Sequence, residues 1–390
     1  MAGTQTCVQC LASDASACTG TTPVCSADDT CHACTAHSDC ASNACLPDGS
    51  CGTDSNVAYV DPSGSDNTTC SKVMPCTKVA KALATNRPYV KFAGTTDEAV
   101  TVNAARHVTF LATLGAVLTR STGTGAIIAV SDDNTNLQVF DLSIKNAPNN
   151  PSGFGVAIPS ASGAPSVSLV RVTISNNPGG GISASGGTLS VSQSTISGNQ
   201  GGGISASGGT LSVSRSTISG NLGGGISISG AQFTIENNFI ATNGAAGTAF
   251  GGLYLQSITV AGTHVVDFNT ITGNVGTMNA NTGISCPSVF VPLTFSSDIV
   301  YGNTVSGIGA QIGGADCSCT YCDVGPTSVA GTGNINADPL FANAAAGDFH
   351  ITANSPCKDV ADPAATLNVD FDGDTRPQGS GRDIGADEYK

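Results

Sequence analysis

Gly179 to Gln200 reads GGGISASGGTLSVSQSTISGNQ, and the next 22 residues read GGGISASGGTLSVSRSTISGNL. The asparagine that closes each unit recurs at Asn177, Asn199, Asn221, Asn243, Asn274 and Asn303, at spacings of 22, 22, 22, 31 and 29. Apolar residues keep the same step: Leu189, Val191 and Ile196 return as Leu211, Val213 and Ile218, then as Phe233, Ile235 and Ile240. Weaker copies precede them around Phe110 and Phe140. A unit this short cannot bury its apolar residues alone, so each must stack on the next around one continuous core. The pattern predicts an all-β solenoid of eight or nine coils; at about 4.8 Å per coil it would be a rod of roughly 40 Å. A leucine-rich repeat has a similar length but fails in detail, because the consensus is LxVxxxxIxxN and the GGG tract cannot begin a helix. In the solenoid reading, the triple glycines turn corners, outward Ser and Thr face water, and the repeated asparagines form a stacked amide ladder or left-handed turns.

The rest of the composition narrows what such a solenoid can meet. The 390 residues carry a net charge of −14, which disfavours nucleic acid and anionic lipid as partners. Between Pro151 and Phe250 the only charged residues are Arg171, Arg215 and Glu236, so the repeats offer a neutral, hydroxylated surface. Sixteen cysteines point to an oxidising compartment and hence an exported protein. No signal segment precedes Cys7, so MAGTQTC reads as a mature or recombinant start, and no run of 18 apolar residues predicts a membrane span.

Nine of the cysteines lie between Cys7 and Cys51 in two tandem units, Cys7-x2-Cys10 with Cys18 and Cys25, then Cys31-x2-Cys34 with Cys40 and Cys45, closed by Cys51. A module of this size needs staples. Disulfides are expected rather than zinc, because the four-cysteine unit recurs with drifting spacing; His32 and His37 are what the zinc alternative would use. Cys70 and Cys76 are expected to pair, and KVAKALA (78–84) to form a short helix with Val79, Ala80 and Leu83 on one face. Cys286, Cys317, Cys319, Cys322 and Cys357 make a second odd set, so either one bond joins distant regions or two thiols stay free. The chain is accordingly divided into a cysteine-rich module (1–53), a solenoid with an N-terminal capping helix (54–345) and a C-terminal capping segment (346–390).

With these coils and their NVAYVDPSGSDN entry, the chain resembles the right-handed parallel β-helix superfamily of pectate-lyase-like fold. NINADPLF, GDFHITANSPCKD, VDFDGDTRP and RDIGADEY are similar to the closing segment of secreted bacterial β-helix proteins. The resemblance implies the fold and an extracellular or cell-surface location. The superfamily includes lyases, hydrolases, epimerases, adhesins and proteins without activity.

Register supplies the site candidates. Arg171, Gln193, Arg215 and Asn237 form one column, and Ser192, Ser214, Glu236 and Asp267 its neighbour. Arg215, Glu236 and Asp267 are therefore the candidate catalytic set, an acid pair beside a base suited to a glycosidic bond; the alternative is a solvated ion pair. His264 falls in the column of Leu189 and should point inward. Phe250, Tyr254 and Phe290 lie in inserts where aromatics can stack on sugars or cover the core. Asp370, Asp372 and Asp374 alternate in DFDGD as oxygen ligands for calcium would, the one cofactor the sequence suggests; otherwise they belong to a turn whose acids pair with Arg376 and Arg382. The leading expectation is a structural or glycan-binding protein whose partner is a polysaccharide or surface glycan, with the cysteine-rich module contacting a further protein. A polysaccharide lyase or glycoside hydrolase is the alternative, and ice or mineral binding by the columns Ser183, Ser205, Ser227 and Thr195, Thr217 is a third.

Overall fold

The computed structural model describes residues 9–11, 15–159, 163–258, 262–276, 282–305, 308–309 and 311–390. Cys7 lies outside them, as do parts of both inserts. The chain forms two compact units: residues 1–96 with 108–117 and 139–142, and residues 97–107 with 118–138 and 143–390.

In the first unit, parallel strands Val57–Val60, Tyr89–Phe92 and His107–Ala112 stand side by side. Disulfides Cys10–Cys25, Cys18–Cys31, Cys34–Cys45 and Cys40–Cys51 staple the cysteine-rich residues, and Cys70 pairs with Cys76 as expected. Ala44 and Leu46 pack on Val57, Tyr59 and Leu111, so the stapled module and the opening strands share a small core. The helix spans Val79–Ala84, but its buried residues are Val79 and Ala82 rather than Ala80. An i, i+3 pair brings one face together where i, i+1 neighbours cannot.

The second unit is a parallel β-solenoid with three walls. One full coil runs through Gly180–Ala184 on the third wall, Thr188–Ser192 on the first and Thr195–Ser197 on the second, before re-entering the third at Gly202–Ser207. The next coil pairs in register one copy on, Leu189 with Leu211, Ile196 with Ile218 and Ile182 with Ile204. The third wall alone has nine strands, from Val100–Val102 to Ile312–Gly313. Every second residue turns inward, and Ile182, Leu189, Val191 and Ile196 are at most 1% exposed. Burying such a side chain contributes about 1.5–3 kcal/mol.

The closing asparagines form the ladder. Asn177 Nδ2 donates to Asn199 Oδ1, Asn199 to Asn221, Asn221 to Asn243, Asn243 to Asn274, Asn274 to Asn303, and Asn303 to Gln311 Oε1, at 2.8–3.0 Å. Each oxygen also accepts the previous residue's backbone N–H, so amides wholly inside the core are satisfied. A second ladder climbs the corner between the first and second walls through Ser194, Ser216, Asn238, Asn269 and Asp298. Beside it, Arg171, Gln193, Arg215, Asn237, Phe268, Ser297 and Tyr321 all take left-handed backbone conformations, with φ of 50–58°. These non-glycine positions turn that corner in every coil, a role the sequence had suggested for glycine.

The C-terminal segment lies along this corner. Arg215 Nε donates to Phe371 O at 3.0 Å, Asn237 Nδ2 to Val369 O at 2.7 Å, and Asp362 N to Ser297 Oγ at 3.1 Å. Phe349 and Phe371 pack on Phe239, and Ile384 and Ile351 join Phe268 and Ile299. A fully buried ion pair, Arg376 with Glu388 at 3.1 Å, holds the segment's own fold, and the Arg376 guanidinium lies over the Phe268 ring.

Candidate functional site

Glu236 and Asp267 are register partners on adjacent strands of the first wall, both only half-exposed. Their environment disfavours charge. Burial raises Glu236, and Asp267 is pushed up to about 6 by burial together with the neighbouring Glu236 and Asp362 carboxylates. Register partners on neighbouring strands lie about 4.8 Å apart along the wall, and both carboxyls are held above their ordinary values. The third predicted member does not join them. Arg215 occupies the left-handed corner, and its guanidinium is turned to the backbone of the C-terminal segment. Arg215 is therefore committed to Phe371 O rather than to the carboxyl pair.

The proton-bearing trend continues inward. Asp298, wholly buried at the end of the second ladder, accepts from Asn269 N at 2.7 Å and from Asn269 Nδ2 at 3.0 Å through Oδ1. Burial, reinforced by Asp267, raises it well above the carboxylate range, so it is a neutral acid that ends the ladder. His264 packs on Phe233 at 4.9 Å between ring centres, as its column predicts.

On the third wall, the sequence missed a second arrangement. Phe154, Gly180 and Gly202 are successive register partners, and Gly224 lies on the next coil. A side chain on Gly180 would meet the Phe154 ring, and one on Gly224 would run into the Phe250 ring. The two half-buried rings thus lie over Gly180 and Gly224, which are buried, and only Gly202 between them is partly exposed. Phe250 stacks on Tyr254 at 5.1 Å and 24°. Tyr254 continues the column Ser183, Ser205, Ser227, of which Ser205 is exposed. Phe290, by contrast, stands exposed at 69%.

In the C-terminal segment Asp370, Asp372 and Asp374 do converge, with carboxylate oxygens within 4.8 Å of one another. Their partners are not Arg376 and Arg382. Asp370 accepts the N–H groups of Gly373, Asp374 and Glu388; Asp372 meets His350 Nε2 at 3.1 Å; Asp374 meets Lys390 Nζ at 2.6 Å. Arg376 instead serves Glu388, and Arg382 donates to Leu367 O. A calcium ion would take oxygens from Asp372 and Asp374 after displacing His350 and Lys390, while Asp370 stays committed to the turn.

Cys286 pairs with Cys317 and Cys319 with Cys322, leaving Cys357 as a buried free thiol whose Sγ donates to Asp323 Oδ2 at 3.3 Å. Among the described residues no helix is long and apolar enough to cross a membrane.

Comparison with known proteins agrees with this architecture. Residues 1–57 match a family of unknown function, and no curated protein matches the chain. Among solved structures, the pectate lyase Pel9A superposes with a TM-score of 0.58 at 15% identity, over 86% of this chain and 96% of that one. Residues 154–324, which contain both the carboxyl pair and Gly202 with its flanking rings, match the right-handed β-helix region model, and the chain is a parallel β-helix protein of pectate-lyase-like fold.

Proposed function

We propose that this is an extracellular polysaccharide-binding protein, and that a neutral glycan lies on the third wall across Gly202 with sugar rings against Phe154 and the Phe250–Tyr254 stack. The observation that carries this reading is that stack, which with Phe154 flanks the partly exposed Gly202 on an almost uncharged wall. Aromatic faces supply the apolar contact, and the serine column offers hydroxyls as donors and acceptors. Rungs about 4.8 Å apart approximate the repeat of an extended sugar chain. Seven disulfides fit an oxidising location, and the likeness to a pectate lyase supports a polysaccharide as the ligand class. The experiment is affinity electrophoresis against a panel of neutral and acidic polysaccharides. Tyr254→Ala should weaken retention by a neutral polymer roughly fivefold, about 1 kcal/mol, without lowering the melting temperature. Equal retention of both proteins by every polymer would refute the reading.

A second reading rests on the Glu236–Asp267 pair. Asp267, raised to about 6, would protonate a leaving oxygen while Glu236 acts opposite it, which makes the first wall a hydrolytic site for neutral glycans. New reducing ends from any polymer, lost in both Glu236→Gln and Asp267→Asn, would establish it; activity that survives either change would remove it.

A further inference from the structure

The first unit contains a cavity of about 320 Å³, at the small end of the roughly 300–1,000 Å³ typical of ligand pockets. Pro75 and Ala93 give it an apolar side, and Lys72 and Lys91 both line it.

Lys91 is the anomaly. It lies in Tyr89–Phe92, where Val90 and Phe92 face the core, so Lys91 points to the opposite face. Its register partners there are Tyr59 and Leu111, both buried under Ala44 and Leu46. A lysine therefore sits in the middle of an apolar column, only 5% exposed, where leucine would pack. Its ammonium donates to Thr113 Oγ1 at 3.3 Å, and Thr113 spends its own proton on Phe92 O. An ammonium group has three donors, so Lys91 has capacity left for a ligand in the cavity. Burial pushes its pKa down to about 7 although Asp141 pulls the other way.

The remaining polar lining is largely committed. His37 accepts the Cys45 N–H at Nδ1, which leaves Nε2 to donate to Ala112 O at 3.1 Å. Tyr59 donates to Ser42 O at 2.6 Å, and Asp61 Oδ1 accepts twice from Ser63. Lys72 uses one donor on Ala41 O and keeps two. The two ammonium groups keep unused donors and Asp61 its second oxygen, and Ser38 and Asn43 complete the polar lining.

We propose that this cavity binds a single sugar acid, with its carboxylate on Lys91 and Lys72, a hydroxyl donating to Asp61, and its ring against Pro75 and Ala93. The anion supplies what the column lacks, a partner for a desolvated cation. The proposal is independent of the third-wall reading, because it uses none of the same residues.

Binding should depend on pH through Lys91, whose charged neighbours around the cavity are Lys72, Asp61 and Asp141, with neutral His37 and Tyr59 beside them. The affinity should fall by up to tenfold per unit once the pH exceeds about 7. The test is isothermal titration of the full chain at pH 6 and pH 9 with D-glucuronate, a glucuronate-terminated oligosaccharide and D-glucose. Sugar acid binding at pH 6, at least tenfold weaker at pH 9, with no binding of glucose, is the expected result. Lys91→Met should abolish it without a fall in melting temperature, and Lys72→Ala, at the exposed side, should weaken it about fivefold. Oligosaccharide binding alone would identify a chain end as the ligand; binding of the free acid would identify a monosaccharide. Equal affinity of wild type and Lys91→Met, equal binding of glucose and glucuronate, or no binding of either acid at pH 6 would overturn the proposal.

Discussion

The side-chain amide of Asn199 donates to the side-chain oxygen of Asn221, 22 residues later, at 2.8 Å inside a core that holds no exposed edge of either residue. Asn221 accepts a second bond from the Asn199 backbone and donates to Ile196 O and to Asn243. Removing the amide strips four bonds at once and leaves buried donors and acceptors behind. Asn221→Ala should therefore cost about 2–4 kcal/mol, measured by urea denaturation. A cost below about 0.5 kcal/mol would mean that the ladder is not a stabilising element.

The inward columns make a harsher prediction. Ile218→Asn inserts an amide between Ile196 and Ile240 while deleting a fully buried side chain, and should cost several kcal/mol. Loss of cooperative melting at 25 °C, or a large drop in midpoint, is the expected reading from circular dichroism.

Asp267 has a folded pKa near 6 against an unfolded value of 3.8, so its contribution runs opposite to that of a salt-bridged acid. The folded state holds the extra proton between these values, and stability falls as pH rises from about 4 to 6. Asp267→Asn should remove that slope and add about 1–2 kcal/mol at pH 7. Denaturation midpoints at pH 4 and pH 7 check it; an unchanged slope would place the titration elsewhere.

His350 is the converse. Burial opposes its charge, but Asp348 at 2.6 Å, Asp387 and Asp372 together hold it above its ordinary value of 6.5. The stability it brings is complete below that value and is lost as pH rises through the higher folded value. His350→Gln should flatten the pH dependence of unfolding above about 6.5 and leave the pH 4–6 slope of Asp267 intact.

Thiol titration of the unreduced, denatured protein should find at most two sulfhydryls, one of them Cys357, and metal analysis should find no zinc. Stoichiometric zinc would overturn the bonds drawn through Cys10, Cys18, Cys34 and Cys40.

Periodicity made the coils legible because an inward residue and its copy 22 places on must share one environment; Leu189 over Leu211 and the asparagine ladder follow directly. The pairing of Glu236 with Asp267 could be read across an insert for the same reason, since the insert leaves the wall before register resumes at His264. What periodicity could not convey is contact with a non-repeating segment. Arg215 belongs to a column of outward residues, yet its neighbours are Phe371 and Gly373, and nothing in a repeat announces where a distant tail will land. Lys91 was within reach: alternation along YVKF puts it on the face of Tyr59, where a lysine is out of place.

The tail that lies on the left-handed corner also orders events in time. Its bonds to Arg215 and Asn237 span 156 and 132 residues, so coils completed early in synthesis keep Phe239 and Phe268 uncovered until the final stretch emerges. A polypeptide cut short before Phe341 would lack the C-terminal side chains that cover Phe239 and Phe268. Phe371 and Arg376 thereby tie Phe239 and Phe268 to a stretch distant in sequence, so the corner closes only through long-range contact.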